Sequence, residues 1–489
     1  MKIKTLFLLL LCQMFIMTNV LAQNIQERDS IQYRIKQVEN SLSPIVRIAG
    51  KPLWNIEERM QDYNLAGLSI AVINDFQVEW AKGYGVTNVE TKTKVNTETV
   101  FQAASMSKTV NAVALLKIAD KQNISLDSNI NSLLTSWKFP YNESINNEGI
   151  TLRQLLSHTA GLSTHGFGGY KNSKDLPSII EILEGVKPAN SEKVLPIIPP
   201  NQEFKYSGGG TMLSQLILSD IQNSSYEAFV EENIFQPLQM NSSFYSVELD
   251  KYPDQIACGH LDNGKVLKNK YNIYPESAAA GLWVTPTELA KLLIDIQLSL
   301  ANKNSMLLSN YSAEQMITPT LKNEVSALGT FIENHNGEKY AQHSGANKAF
   351  RAKYYFGTSC GKGVVVMVNG TNTEIIEEII RSVAIVYDWP GFELYESSDE
   401  TILTESNLTN YIGTYSLDNR NLQIILEDGV LVAQERKKWR ANLIPATETS
   451  FIVENVRPQA TVEFINDENG KVTKLLMQQG EHYEWLKTE

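Results

Sequence analysis

The chain has 489 residues, of which 43% are hydrophobic and 20% charged, the composition of a folded globular protein and too long for one small domain. It carries 43 Lys and Arg against 55 Asp and Glu, a formal net charge of -12. That excess of acid excludes the basic surface on which nucleic-acid binding depends.

The first 22 residues differ from the rest. Lys2 and Lys4 precede the apolar run Leu6–Leu11, and Val20-Leu21-Ala22 supplies a small residue at a cleavage point. This is the order of a secretory signal peptide. Gln13, Thr18 and Asn19 break the apolar run short of the roughly 20 residues that a membrane span needs. We expect a signal peptide over 1–22, a periplasmic or secreted protein, and no stable membrane span once the signal is cleaved. Of the three cysteines, Cys12 leaves with the signal, and Cys258 and Cys360 either pair or remain as buried thiols.

Residues 23–54 read as a helical lead-in, with "IQERDSIQYRIKQVENSL" as an amphipathic helix. Leu68–Ile73 and Gln77–Tyr84 are strands joined at Asn74-Asp75, a hairpin. In "SKTVNAVALLKIADKQN" the apolar positions 110, 113, 114, 115, 118 and 119 keep a helical period. Helices and loops alternate from 125 to 320, with one helix over 287–299. "FRAKYYFG" alternates as a strand, "GVVVMVNG" is a β-branched run suited to a buried strand, and a helix follows over 373–387. One large unit runs over 55–390, and Pro390-Gly391 with the acidic, Ser-rich stretch that follows makes 391–407 a linker. From 408 to 489 the segments are short, alternating and turn-bounded, with Asp428-Gly429 and Asn469-Gly470 as hairpin turns: a small all-β barrel or sandwich.

The chemistry centres on "FQAASMSKTV". Ser105 stands where the buried helix begins, and Lys108 lies three residues on, on the same face and within reach of its hydroxyl. Unpaired N–H groups at a helix start favour negative charge, so an oxyanion formed at Ser105 is stabilised there. The alternative is that Ser105 only caps the helix. A Ser-x-x-Lys match arises by chance about twice in a chain of this length, and Ser359–Lys362 is a second copy. That copy lies in a Gly-rich turn between strands, with no helix to orient it. His158 follows a helix and reads as structural. His165, His260 and His335 lack metal-ligand spacing, so no metal site is expected. Trp283 and Tyr274 line a cleft or fill the core. "SGGG" at 207–210 is not followed by Gly-Lys-Ser/Thr, and no Gly-x-Ser-x-Gly elbow is present.

Five segments in order resemble the serine β-lactamase and penicillin-binding protein family, the class C β-lactamase/esterase type above all. They are "FQAASMSKTVNAVALLKIAD", "TLRQLLSHTAGLS" (151–163), "FKYSGGGTMLSQLIL" (204–218), "AAAGLWVTPTELAKLL" (278–293) and "HSGANKAFRAKYYF" (343–356). The resemblance implies an α+β fold: an antiparallel sheet flanked by helices plus a helical subdomain, here with an added C-terminal β-domain. It implies Ser105 as nucleophile, Lys108 as its partner and Tyr206 as general base or acid. The oxyanion hole would be the backbone N–H groups of Ser105 and Ala346. His343, Ser344, Gly345, Ser207 and Gly208 would contact the substrate, and no cofactor is required. Two positions depart from the β-lactamase pattern. Gly208 stands where β-lactamases usually place Asn, and His343 where a Lys would hold a substrate carboxylate. Both point toward an esterase or a D-amino-acid peptidase, acting on a small ester or a peptide of cell-wall type. The alternative is a penicillin-binding sensor that is acylated without turnover.

Overall fold

The computed structural model describes residues 30–488 except 45, 49–50, 143–144, 146–148, 246–255, 322–324, 336, 393–394, 398–404, 418–419, 436–438, 455, 457–459 and 480. The signal peptide expected over 1–22 lies outside the described residues. Among the described residues, no helix is long and apolar enough to cross a membrane.

A helix over 30–39 (α1) leads to β1 (Val46–Ile48) and α2 (Ile56–Asp62). β2 (Gly67–Asn74) and β3 (Gln77–Asn88) form the expected hairpin, turning at Asp75 and Phe76 with φ of 50° and 58°. The short strands β4 (Thr93–Lys94) and β5 (Phe101–Gln102) follow, then α3 (Ser107–Gln122). The helical region comprises α4 (Ile130–Leu133), α5 (Leu152–Leu156), α6 (Ile179–Glu184), α7 (Gly208–Gln222) and α8 (Tyr226–Val230). After β6 (Phe244–Tyr245), β7 (Leu282–Val284), α9 (Pro286–Leu300) and α10 (Asn310–Met316), the chain returns to the sheet. There it adds β8 (Phe331–His335), β9 (Glu338–Asn347), β10 (Phe350–Gly357) and β11 (Gly363–Val368), followed by α11 (Glu374–Val386).

The main sheet is antiparallel, in the order β4-β3-β2-β11-β10-β9-β8. Its central strands show why their sequences lack a polar face. On β2, Ala71 and Ile73 enter one core, while Leu68, Ile70 and Val72 enter the other. On β11, Val365 and Met367 face the first core, and Val364, Val366 and Val368 the second. Alternate side chains point to opposite faces, so a strand covered on both sides must be apolar throughout. The second core is closed by α1, α2 and α11, through Ile35, Ile56 and Ile379. The first is built around α3, whose sides are all buried, including Ser107, Thr109 and Asn111. Those polar side chains find partners inside the fold: the Thr109 hydroxyl donates to the Gly329 carbonyl at 2.8 Å, and the Asn111 amide N–H to Ser214 Oγ at 2.7 Å, while Asn111 Oδ1 has no partner among the described residues.

The chain is packed up to the start of the expected linker: Trp389 stacks on Tyr340 at 5.7 Å, the Tyr340 hydroxyl donates to the Pro390 carbonyl, and a Cβ on Gly391 would lie 2.2 Å from the His335 carbonyl oxygen. Residues 393–394 and 398–404 of that linker lie outside the described residues. Beyond Gly391, β12 (Tyr395–Ser397) pairs in parallel with β1, and α12 spans Glu405–Leu408. The C-terminal unit is a closed barrel of β13 (Gly413–Leu417), β14 (Arg420–Glu427), β15 (Val430–Glu435), β16 (Trp439–Pro445), β17 (Ser450–Val453), β18 (Ala460–Asn466), β19 (Val472–Gln479) and β20 (Glu481–Lys487). Pairing of β13 with β20 closes it, which settles barrel against sandwich. Tyr415, Phe451, Phe464, Leu475 and Trp485 fill its interior. Cys258 and Cys360 do not pair: both are free, and burial pushes each thiol up.

Candidate active site

The nucleophile candidate sits on a strained turn. Ala104–Met106 forms a single 3₁₀ turn ahead of α3, and Ala104 holds φ at 49°, a left-handed conformation that costs a residue with a Cβ. Its surroundings enforce the turn. The Ser107 hydroxyl donates to the Ala104 carbonyl at 2.5 Å and accepts the Leu282 N–H at 3.1 Å. Ser105 is thereby presented at the mouth of α3, and its Oγ lies 3.1 Å from Lys108 Nζ. Lys108, itself buried, also donates to the Ala279 carbonyl at 2.7 Å. That carbonyl belongs to the π-helical turn Ser277–Gly281. Lys108 Nζ is 5.0 Å from the centroid of the Tyr206 ring.

Tyr206 precedes α7, and its ring is packed by neighbours on several sides. His158 lies 4.3 Å away, His165 4.8 Å and Phe331 6.4 Å between ring centroids. Among the described residues the Tyr206 hydroxyl has no hydrogen-bond partner, which leaves it available to a substrate atom. His158 Nδ1 accepts the Ser207 N–H at 3.2 Å. Burial, then the charge of Lys108, holds this imidazole well below its usual range, so it stays neutral. The structural role expected for His158 thus has a definite object: it fixes the ring and backbone of the Tyr206 segment.

Strand β9 supplies the opposite wall. β8 pairs with β9 only as far as Gln342, so His343–Asn347 is a free edge among the described residues. Asn347 and Phe350 close a two-residue hairpin, and Ala346 is opposite Arg351. In an antiparallel ladder the pair after the closing, hydrogen-bonded one is non-hydrogen-bonded. The N–H of Ala346 therefore points away from β10, toward the free edge. That edge lies against the nucleophile turn: a Cβ on Gly345 would sit 2.2 Å from the Ala103 carbonyl oxygen and 3.2 Å from Ala104 Cβ. Glycine is required there by close approach. Asn347 ties the edge down, its amide donating to Gln102 Oε1 at 2.8 Å and to the Ala280 carbonyl at 3.1 Å.

Between these walls is a cavity of about 530 Å³. It is lined by Ser105, Lys108, Tyr206, His343, Ser344 and Ala346 from the expected set, by His165, which the sequence marks only as lacking metal-ligand spacing, and by Phe167, Phe204, Phe331, Glu333 and Gln342, which sequence reasoning did not single out. Three expected contacts do not line it. The Ser207 hydroxyl donates to the Ser163 carbonyl and accepts the Gly210 N–H, capping α7. Gly208 donates its N–H to the His165 carbonyl, and Phe167 occupies the space that a side chain at 208 would enter. Gly345 presses on Ala103 instead of facing the cavity. Trp283 and Tyr274 are core aromatics: Trp283 stacks on Phe244, and the Tyr274 hydroxyl accepts the Lys348 N–H. In the second Ser-x-x-Lys copy, Ser359 bonds to Glu338 and Lys362 to the carbonyls of Tyr387 and Asp388, far from any such arrangement. No group of three or more His, Cys, Asp and Glu suited to a metal occurs among the described residues.

Glu276, at the start of the π-helical turn, escaped the sequence reading too. It is fully buried, both its carboxylate oxygens are without hydrogen-bond partners among the described residues, and burial pushes its carboxyl up to about 7.

Comparison with known proteins gives one family. The beta-lactamase family model matches residues 55–386. Protein flp of Staphylococcus aureus (strain MRSA252) is 25% identical over 333 residues, which span 67% of this chain and 64% of that protein's length. Penicillin-binding protein 4* of Bacillus subtilis (strain 168) is 23% identical over 438 residues, 83% of this chain and 91% of the relative. The octameric penicillin-binding protein homologue from Pyrococcus abyssi shares the fold with a TM-score of 0.60 at 22% identity, covering 88% of this chain and 98% of the homologue.

Proposed function

The chain belongs to the beta-lactamase family, and on that premise we propose that it is an exported serine hydrolase that forms an acyl-enzyme on Ser105 and releases it to water. The observation that carries the reading is the contact of Ser105 Oγ with Lys108 Nζ at 3.1 Å, at the floor of a cavity that Tyr206 also lines. In its neutral form the Lys108 amine keeps one N–H on the Ala279 carbonyl and turns its lone pair toward the Ser105 hydroxyl. It takes that proton as Oγ attacks the acyl carbon. The oxyanion that develops would be met by the N–H groups of Ser105 and Ala346, each such donor being worth about 10²–10³ in rate. Tyr206, whose ring centroid lies 5.0 Å from Lys108 Nζ, gives its hydroxyl proton to the leaving group and is refilled by the proton that Lys108 took from Ser105. The same groups, working in reverse, activate the water that frees the acyl chain.

The substrate class proposed is a small ester or a D-amino-acid peptide. Gly208 and His343 stand where a β-lactamase offers an amide and a cation, and Phe167 closes the space at 208. Export rests on the N-terminal Lys2, Lys4 and Leu6–Leu11 pattern. The test is a fluorophosphonate probe with mass spectrometry of the adduct, run beside a chromogenic ester. Labelling on Ser105 and many turnovers per enzyme are expected. Labelling that persists in Ser105→Ala overturns the assignment, and a single stoichiometric burst of product indicates a sensor instead.

A further inference from the structure

The polar groups of the cavity are set against the substrates that the third motif usually serves. Among the residues lining it, Lys108 is the single Lys or Arg, and its N–H groups are directed at the Ala279 carbonyl and Ser105 Oγ. Among the described residues, a carboxylate entering the cavity meets no second Lys or Arg. It meets Glu333 instead, a buried acid held by the Tyr355 hydroxyl at 2.9 Å, the Gln342 amide at 3.2 Å and His335 Nε2 at 3.3 Å.

His343 adds to this. A carbonyl can only accept, so the 2.7 Å contact of its Nδ1 with the Ser344 carbonyl puts the ring proton on Nδ1. Nε2 of the neutral ring then carries a lone pair, and among the described residues it has no partner although His343 is almost wholly buried. An unpaired buried acceptor is costly, and a substrate donor removes the cost. Protonating Nε2 is the other way to satisfy it. Burial and the nearby Lys108 oppose that, holding the imidazole down at about 3. The ring therefore offers an acceptor at the place where a lysine would offer a cation.

We infer that the β8–β9 end of this cavity selects a substrate bearing an N–H donor, an amine or ammonium by preference, and rejects one bearing a carboxylate. This narrows the proposed acyl-enzyme chemistry, on which it rests, to amine-bearing esters or peptides such as aminoacyl derivatives. It also predicts that penicillins, which carry a carboxylate, acylate Ser105 poorly. Glu333 and His343 are the residues that set the preference, the first by charge and the second by its lone pair.

The test uses two series of chromogenic esters, one varying the acyl group and one the leaving group. Each series has an amine-bearing, a neutral and a carboxylate-bearing member of matched size. In the native enzyme the carboxylate member should have the lowest kcat/KM of both series, about tenfold or more below the amine member in at least one. Glu333→Gln should shrink the amine-to-neutral ratio by about tenfold. His343→Lys should raise the carboxylate-to-neutral ratio and the rate at which a fluorescent penicillin labels the protein. The inference is overturned if the native enzyme favours the carboxylate member, or if both ratios stay fixed in both variants. The native-enzyme comparison decides even where a variant does not fold. Fluorophosphonate labelling of Ser105 with turnover of the neutral ester, but without discrimination, sinks this inference alone. Absence of labelling and of turnover sinks the acyl-enzyme reading beneath it.

Discussion

Glu276→Gln should make the protein more stable, and increasingly so as pH rises. Glu276 is 0% exposed, and among the described residues neither carboxylate oxygen has a hydrogen-bond partner and Tyr170 and Tyr274 are titratable groups whose fields it shares. Burial disfavours its charged form and moves the carboxyl from 4.5 to about 7. With the folded-state value raised, the native state holds a proton that the unfolded chain has released between those two values. Stability from this group is therefore complete below 4.5 and is lost as pH climbs through about 7. A gap of that size is worth about 3 kcal/mol once both states are ionised, and under 1 kcal/mol at pH 5. Glutamine keeps the shape and never ionises. Urea unfolding of both proteins at pH 5 and pH 8 should show the advantage of the variant growing by about 2 to 3 kcal/mol. Parallel pH profiles would refute the reasoning, because they would mean that water or a counter-charge already satisfies the carboxylate. The consequence reaches the site, since Glu276 opens the turn whose Ala279 carbonyl holds Lys108.

Gly345→Ala should lower kcat about 100-fold, because a methyl group 2.2 Å from the Ala103 carbonyl must push the β9 edge, and the Ala346 N–H with it, away from Ser105. Native-like kcat, measured beside a urea melt to confirm folding, would remove Ala346 from the oxyanion hole. His158→Ala should reduce kcat about tenfold and alter its pH profile with little change in KM, since it frees the Tyr206 ring and the Ser207 N–H; an unchanged pH profile would make His158 a fold residue only. Arg59→Ala should cost about 3 kcal/mol in urea unfolding, because it strands the buried Glu378 carboxylate that Arg59 holds at 2.6 and 3.0 Å. A cost below about 1 kcal/mol would show that Tyr63, which also donates to Glu378, suffices alone.

What the sequence disclosed depended on whether the information was local. The hairpin at Asn74-Asp75, the helix of 286–300 and the barrel turns at Asp428 and Gly470 are set by neighbouring residues, and all are present. Burial on both faces was visible in "GVVVMVNG", because a strand with no polar side has no other place in a fold. The segment after Pro390 read as a linker for the same local reason. Its composition is acidic and Ser-rich, while Pro390 and Gly391 at its start are held by Tyr340 and His335, some fifty residues earlier in the chain.

The same division runs through the site. Ser105 and Lys108 lie one turn apart, so their contact follows from helical geometry once α3 is recognised. His158 and His165 are far in sequence from Tyr206, and only the fold brings their rings against it. Gly208 shows the limit most clearly. A motif position marks it for substrate contact, yet the loop carrying Phe167 fills the volume that any side chain there would need. His343 is the converse case. Its type and position were visible, but its function depends on which ring nitrogen holds the proton, and that is fixed by the Ser344 carbonyl. A cation and an acceptor at that position demand opposite substrates, so the specificity proposed for this member of the family turns on one backbone hydrogen bond that no motif encodes.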